Sequence, residues 1–268
     1  MPWLDDNAPL HQPFGLAELA EHTHGLPVEA IVYMQVDVTP AYGLLEAAWA
    51  LAQAEHDPRV AGVVAWAPLE DGHVVSSYLD ALAKLGQPLK GIRRLIQSEP
   101  DPNFHVRPAF LDALRLLPRY GLSFDICVRH QQLRRTIDMV RACPETAFVL
   151  DHLAKPDVKS HRLDPWRAEM AELAELPNVV CKLSGLVTEA DDAHWTPADL
   201  EPYVSHVLAT FGEDRVLFGG DWPVVTMAAT YGRWVSVLDS LTSGLEPSAR
   251  RKLWADNARR VYRLQTSA

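Results

Sequence analysis

Asp221 ends an apolar run in the stretch Phe218-Gly219-Gly220-Asp221-Trp222-Pro223, where a carboxylate is followed at once by an aromatic ring and a proline. Arg215-Val216-Leu217-Phe218 reads as a short strand, and Pro223 bars its continuation as a central strand, so Asp221 falls at the strand's C-terminal end. A carboxylate in that place can take a proton from water. It also fits a turn cap that accepts neighbouring backbone N–H groups.

A second such position is His152 in Val149-Leu150-Asp151-His152-Leu153-Ala154-Lys155-Pro156, again at the end of an apolar run. An imidazole there can hold a metal, donate to a carbonyl or pass protons; alone, it also fits a histidine bonded to nearby backbone. Arg93 and Arg94 close a third run, and strand alternation sends them to opposite sides. The inward one needs an anion, a polarised oxygen or an internal carboxylate, because a buried guanidinium without a partner is costly. Gln35 and Asp37, Asp125 with Arg129-His130, and Ser184 widen the polar rim, Asp37 reading as a turn residue ahead of Thr39-Pro40. His22-Thr23-His24 has the spacing of a metal pair. It follows Leu16-Ala17-Glu18-Leu19-Ala20 and precedes Gly25, however, which is the context of a helix end and not of a strand.

The elements that would position these groups alternate regularly. Apolar runs at Ala30 to Val36, Val60 to Ala67, Leu89 to Leu95, Leu122 to Val128, Ala147 to Leu153, Val179 to Leu183 and Val216 to Gly219 predict seven strands. Between them, residues 41–56, 73–85, 107–119, 130–142, 164–176 and 198–211 carry helical periodicity, and 229–241 and 247–264 read as two terminal helices. This pattern predicts the α/β class and a (β/α)8 barrel of TIM type, in which the C-terminal ends of the strands build the site. Seven strands leave the barrel one short, and the expectation is that the first strand is missing. Length, 268 residues, and the lack of a low-complexity linker predict a single domain over 1–268.

Composition narrows the function. Acidic residues outnumber basic ones by 35 to 25, for a net charge of -10, which disfavours nucleic acid and anionic membranes as partners. The three cysteines have no CxxC spacing, and no signal peptide or membrane-length apolar run is present, so the expected location is the cytoplasm. No phosphate-binding glycine loop or GxSxG elbow appears, which removes support for nucleotide and serine-hydrolase chemistry.

Asp151-His152-Leu153-Ala154-Lys155-Pro156, the segment from Ser184 to Asp191, Phe218 to Val224 and Asn257-Ala258-Arg259-Arg260-Val261-Tyr262 together resemble the amidohydrolase 2 family, in matching order and spacing over nearly all of the chain. Pro2-Trp3-Leu4 and Gly91-Ile92-Arg93 are most similar to its sugar-lactone hydrolase branch, the L-fuconolactonase and L-rhamnonolactonase type. The resemblance implies hydrolysis of a sugar lactone, a small-molecule substrate. Asp221 would act as general base on water, His152 and Arg93 would polarise the carbonyl, and Gln35, Arg94, Ser184, Trp195 and Trp222 would surround the substrate. The family pattern opens with an Asp-x-His-x-His strand upstream of Pro-Trp-Leu that nothing here matches, and it has Ser at the position of Gly220. No metal ligand is therefore assigned and no cofactor is expected, zinc entering only with an upstream histidine pair. The alternatives are a metal-dependent decarboxylase of an aromatic acid and a barrel without catalysis.

Overall fold

In the computed structural model, which describes residues 1–5, 7–86, 88–191 and 194–265, the predicted runs form seven parallel strands. They are β1 (Ile31–Met34), β2 (Val60–Ala65), β3 (Leu89–Arg93), β4 (Ser123–Ile126), β5 (Phe148–Leu150), β6 (Val179–Leu183) and β7 (Val216–Phe218), hydrogen-bonded in chain order. The last three residues of the predicted 1–268 domain lie outside the described residues. Each strand is followed by a helix, from α2 (Gly43–His56) and α3 (Ser76–Lys84) through α4 (Pro108–Leu114), α5 (Leu133–Ala142), α6 (Trp166–Ala174) and α7 (Pro197–Phe211) to α8 (Tyr231–Leu241); α1 (Leu16–His22) precedes β1. Parallel strands buried on both faces read as continuous apolar runs, which is why they were visible in the sequence. Among the described residues β1 and β7 do not pair with each other, and the sheet is a curled half-barrel.

Two apolar layers hold it. The larger lies between sheet and helices and contains the outward residues Ile92, Phe124, Ile126, Phe148, Leu150, Cys181 and Leu183. The smaller fills the lower interior with Val64, Val149, Val180, Leu217 and Tyr262. Tyr262 comes from the chain's end. After α9 (Pro247–Arg251) and a π-helical stretch (Lys252–Asp256), α10 (Asn257–Val261) delivers it beneath the sheet. The neighbouring Arg263 donates to the carbonyls of Lys90 and Gly121, at the N-terminal ends of β3 and β4.

The departures from the predicted elements have local causes. The fifth run stops as a strand at Leu150 because the next residues turn into left-handed backbone. The helix predicted over 107–119 divides into α4 and a 3-10 turn, Leu117–Tyr120, where Pro118 lacks an amide donor. The terminal helix predicted over 247–264 is interrupted by the π stretch.

One buried group links this fold to pH. His105 is fully buried with Nε2 3.4 Å from the Thr136 hydroxyl, and burial pushes its imidazole down to about 4. The folded state then binds fewer protons than the unfolded chain between pH 6.5 and 4. His105 therefore contributes stability that is complete above pH 6.5 and is lost as the pH falls toward 4, by at most about 3 kcal/mol. Denaturant melts of the wild type should steepen over that window, and His105→Gln should flatten them; equal slopes would remove the assignment.

Candidate active site

Asp221 is brought to the upper rim by β7 and two glycines that have no room for side chains. A Cβ on Gly219 would stand 2.7 Å from Ser184 Cβ, and one on Gly220 would stand 2.6 Å from the Tyr231 ring and 2.7 Å from its hydroxyl. Tyr231 thus occupies the space that the family's serine would need. Asp221 itself adopts left-handed backbone, φ 51, and its carbonyl accepts from the Val225 amide at 2.8 Å as the chain turns into the next helical stretch.

His152 reaches the same point from β5 by a tighter device. Four consecutive non-glycine residues, His152, Leu153, Ala154 and Lys155, have φ of 53, 53, 57 and 49, a conformation that costs about 1–3 kcal/mol per residue and persists only where its surroundings impose it. Those surroundings are specific. The Lys155 amide donates to the His152 carbonyl at 2.7 Å, Trp166 Nε1 donates to the Leu153 carbonyl at 2.7 Å, and His130 Nδ1 lies 2.9 Å from the Lys155 carbonyl. The imidazole is fixed by Ser184 Oγ, 2.8 Å from Nδ1, and fits only because residue 185 is glycine, where a Cβ would be 2.8 Å from the ring. Its Nε2 then faces Asp221 Oδ1 at 3.6 Å. Burial lowers the affinity of this imidazole for a proton against the opposing pull of Asp221 and Asp151, so it is neutral over a wider acid range than a free histidine.

Beneath this pair lies an ion network inside the sheet. Arg93 Nη1 meets Asp151 Oδ2 at 3.0 Å, and Lys182 Nζ meets Asp151 Oδ1 and Asp125 Oδ2, each at 2.7 Å. The Tyr262 hydroxyl donates to Asp125. Burial pushes the Asp151 carboxyl up, but Lys182 and Arg93 together outweigh it and hold it well below the usual carboxylate range. Burial wins at Asp125, which is raised. Two cations and two carboxylates balance, which is what makes four charges tolerable in an interior of low dielectric.

The structure sorts the predicted residues accordingly. Asp221, His152 and Ser184 are brought together. Arg93 does point inward, yet its Nη atoms are taken by Asp151 and the Gln35 carbonyl, so the internal ion pair is realised and the free carbonyl clamp is not. Gln35 is fully buried, its Oε1 accepting from the Asp37 amide at 2.6 Å, and its Nε2 has no partner. Arg94, on the other side of the strand, is held by Glu70 at 3.0 Å, Glu99 at 2.6 Å and the Leu95 carbonyl, instead of being left for a substrate. Trp195 is corrected too: it is 4% exposed, donates to the Ala228 carbonyl and lies under the Arg233 guanidinium, so it is a core ring. Trp222 is half-buried against Phe14 and His22, with Nε1 unpartnered. His22 and His24 are exposed at the end of α1, as a helix terminus requires.

Sequence reasoning quoted Lys155, Glu189 and Tyr262 within motifs and gave them no role. Lys155 Nζ lies 3.5 Å from Glu189 Oε1, and Arg129 approaches the same carboxylate at 4.0 Å. The signal for Lys155 was its position three residues beyond His152. Tyr262 had none, being one aromatic in an amphipathic helix.

Among the described residues one group could hold a metal, with donor atoms of Cys127, Asp151 and His152 within 4.8 Å of one another. Its chemistry fits poorly. Both Asp151 oxygens already serve cations, burial pushes the Cys127 thiol up to about 11, and a dication would sit beside Arg93 and Lys182.

Comparison with known proteins bears on this rim. The chain is 35% identical over 209 residues to an L-fucono-1,5-lactonase of Burkholderia ambifaria, covering 76% of this chain and 71% of that protein. It is 33% identical over 261 residues to an L-fucono-1,5-lactonase of Burkholderia multivorans, covering 93% and 87%. A crystal structure of an amidohydrolase from Burkholderia multivorans with bound zinc superposes with a TM-score of 0.89 at 31% identity, covering 98% of this chain and 94% of that one. No helix among the described residues is long and apolar enough to cross a membrane. With the family profile described as Amidohydrolase matching residues 3–264, and with Asp221 and His152 meeting at the C-terminal ends of parallel strands, this chain belongs to the amidohydrolase family.

Proposed function

We propose that this chain hydrolyses a sugar-derived lactone, an aldonolactone of the L-fucono-1,5-lactone kind, in one domain with a small-molecule substrate. The observation that carries the reading is the 3.6 Å approach of His152 Nε2 to Asp221 Oδ1 on a rim where Ser184 holds the ring. Lactonase names on relatives a third identical support the substrate class. Asp221 takes a proton from water, the water oxygen bonds to the lactone carbonyl carbon, and the charge that develops on the carbonyl oxygen is met by donors already oriented before the reaction. His152 is one such donor. The bond from the carbonyl carbon to the ring oxygen then breaks, and the proton held by Asp221 passes to the ring oxygen to give the hydroxy acid. Arg93 contributes through Asp151, by keeping the carboxylate next to His152 ionised and fixed. The acidic net charge of -10 supports a role without nucleic acid or membrane partners.

The metal-dependent decarboxylase reading is weaker, because the group of Cys127, Asp151 and His152 has its carboxylate committed to two cations. In this reading of the donor set no step passes through a metal. Lactone hydrolysis followed by acid release in a weakly buffered assay should therefore be unchanged after dialysis against a chelator. Loss of turnover that returns with added zinc would overturn the metal-free reading, and hydrolysis of no sugar lactone by the untreated protein would overturn the function itself.

A further inference from the structure

Over its first three turns, helix α2 sends its one charge inward and its largest side chains outward. Among residues 43–53 the single charged side chain is Glu46. It is 9% exposed, and its Oε1 accepts from the Val36 amide at 2.7 Å and the Tyr33 hydroxyl at 3.0 Å. Leu45, by contrast, is 64% exposed, Trp49 49% and Leu44 37%, with Tyr42 at 59% just ahead of the helix. Outward positions elsewhere in the helical layer carry ion pairs, as Arg134 and Arg141 of α5 do with Glu172 of α6. A contiguous uncharged face of large apolar side chains marks an interaction surface.

The relief of that face selects its partner. Leu45 and Trp49, four residues apart, form a ridge, and Trp49 is oriented from below by Tyr33 in a T-shaped contact with ring centroids 5.7 Å apart. Beside the ridge runs a groove of about 390 Å³ bordered by Ala48, Ala52, Glu55 and Leu85. A two-fold axis crossing α2 between residues 48 and 49 sets the helix antiparallel to a copy of itself. Trp49 then stands opposite the partner's Ala48 and Leu45 opposite the partner's Ala52. Both ridge side chains meet alanines, and at the rim the Tyr42 phenol meets the partner's Glu55. A parallel pair would stack Trp49 on Trp49 and leave Ala48 facing Ala48 across a gap. The face offers no lysine or arginine to anionic lipid. A second copy brings the same uncharged patch, so two subunits of net charge -10 meet where their repulsion is least.

We propose that this chain forms a two-fold dimer through α2, with Leu45 and Trp49 of each copy seated on Ala52 and Ala48 of the other. The inference is independent of the lactonase reading.

Analytical ultracentrifugation over a concentration series tests it. The wild type should sediment as a dimer at micromolar concentration. Leu45→Arg and Trp49→Glu should each raise the dissociation constant by a factor of about 10² or more, because the symmetry applies each loss twice. Circular dichroism melts verify that the variants are folded, and Leu45→Arg stands in if Trp49→Glu loosens the contact with Tyr33. The register is tested by cross-linking, since the native cysteines are buried. Mild oxidation of a mixture of Leu45→Cys and Ala52→Cys chains should yield a linked heterodimer. Either chain alone should not link, because like positions lie about 10 Å apart along the antiparallel helices, beyond the reach of a disulfide. A wild type that stays monomeric overturns the proposal, as does a dimer that both charged variants retain or a mixture that does not cross-link. A monomer that floats with phosphatidylcholine vesicles, and no longer does so as Leu45→Arg, would overturn it in favour of a membrane.

Discussion

Asp221→Asn should lower kcat/KM for lactone hydrolysis by a factor on the order of 10²–10⁴, the range that a positioned general base contributes, while leaving the thermal midpoint close to that of the wild type. The asymmetry follows from the geometry. Asp221 sits on the rim with 13% of its side chain exposed, and its ionisable neighbour is the neutral His152 at 3.6 Å, too long for a strong hydrogen bond. The amide of Asn fills the same volume and its Oδ1 can still face the imidazole as an acceptor, so little folding energy is at stake. What disappears is the capacity to accept a proton from water. Steady-state rates and a melting curve on the same preparation check both halves. Retained turnover would end the role of Asp221 as base, and a large loss of stability would make it a structural cap.

Lys182→Met should have the opposite signature, a large loss of stability of about 3–5 kcal/mol measured by denaturant unfolding, because removing one partner of a buried ion network leaves its counter-charges without compensation. Two carboxylates, Asp125 and Asp151, lose their 2.7 Å contacts at once, and Asp125 is already pushed up by burial. Arg93 remains for Asp151, whereas Asp125 keeps no cation, only the Tyr262 hydroxyl and a 3.5 Å contact from the Ser123 hydroxyl. Adding Asp125→Asn to Lys182→Met should therefore recover part of the loss by removing the stranded charge, a non-additivity that the double-mutant cycle reads directly. Additive losses would mean that Lys182 and Asp125 are not coupled. Because Asp151 precedes His152 in the chain, the single variant should also lose activity, but as a consequence of displaced structure.

The upper rim was legible because strand ends are local features. Apolar runs bounded by proline and glycine located the ends of β5 and β7, and a polar residue at each end pointed to His152 and Asp221. Alternation along a strand placed Arg93 or Arg94 inside. The glycine at position 220 stood out against the family pattern, and Tyr231, eleven residues on in α8, explains it by filling the space a side chain would use.

Partner choice was not legible. Arg93 could equally have met substrate or carboxylate, and its assignment to Asp151 joins residues 58 apart in the chain; Lys182 meets Asp125 across 57 and Tyr262 meets Asp125 across 137. Trp195 looked like a loop ring near the site because nothing in its neighbourhood records that Arg233 and the Ala228 carbonyl would cover it. The left-handed turn at 152–155 had no glycine to announce it, since it is imposed by Trp166, His130 and Ser184 from three other segments.

Sequence alone determined the order of strands and helices, the ends at which chemistry could occur and the carboxylate and imidazole that stand there, because periodicity and backbone-restricting residues act over a few positions. Only the tertiary structure decided which charges neutralise one another, which aromatic rings are core and that His152 Nε2 faces Asp221. Those outcomes depend on the curl of the sheet, which brings inward side chains of non-adjacent strands within a few ångströms, where burial forces every charge to find its counterpart.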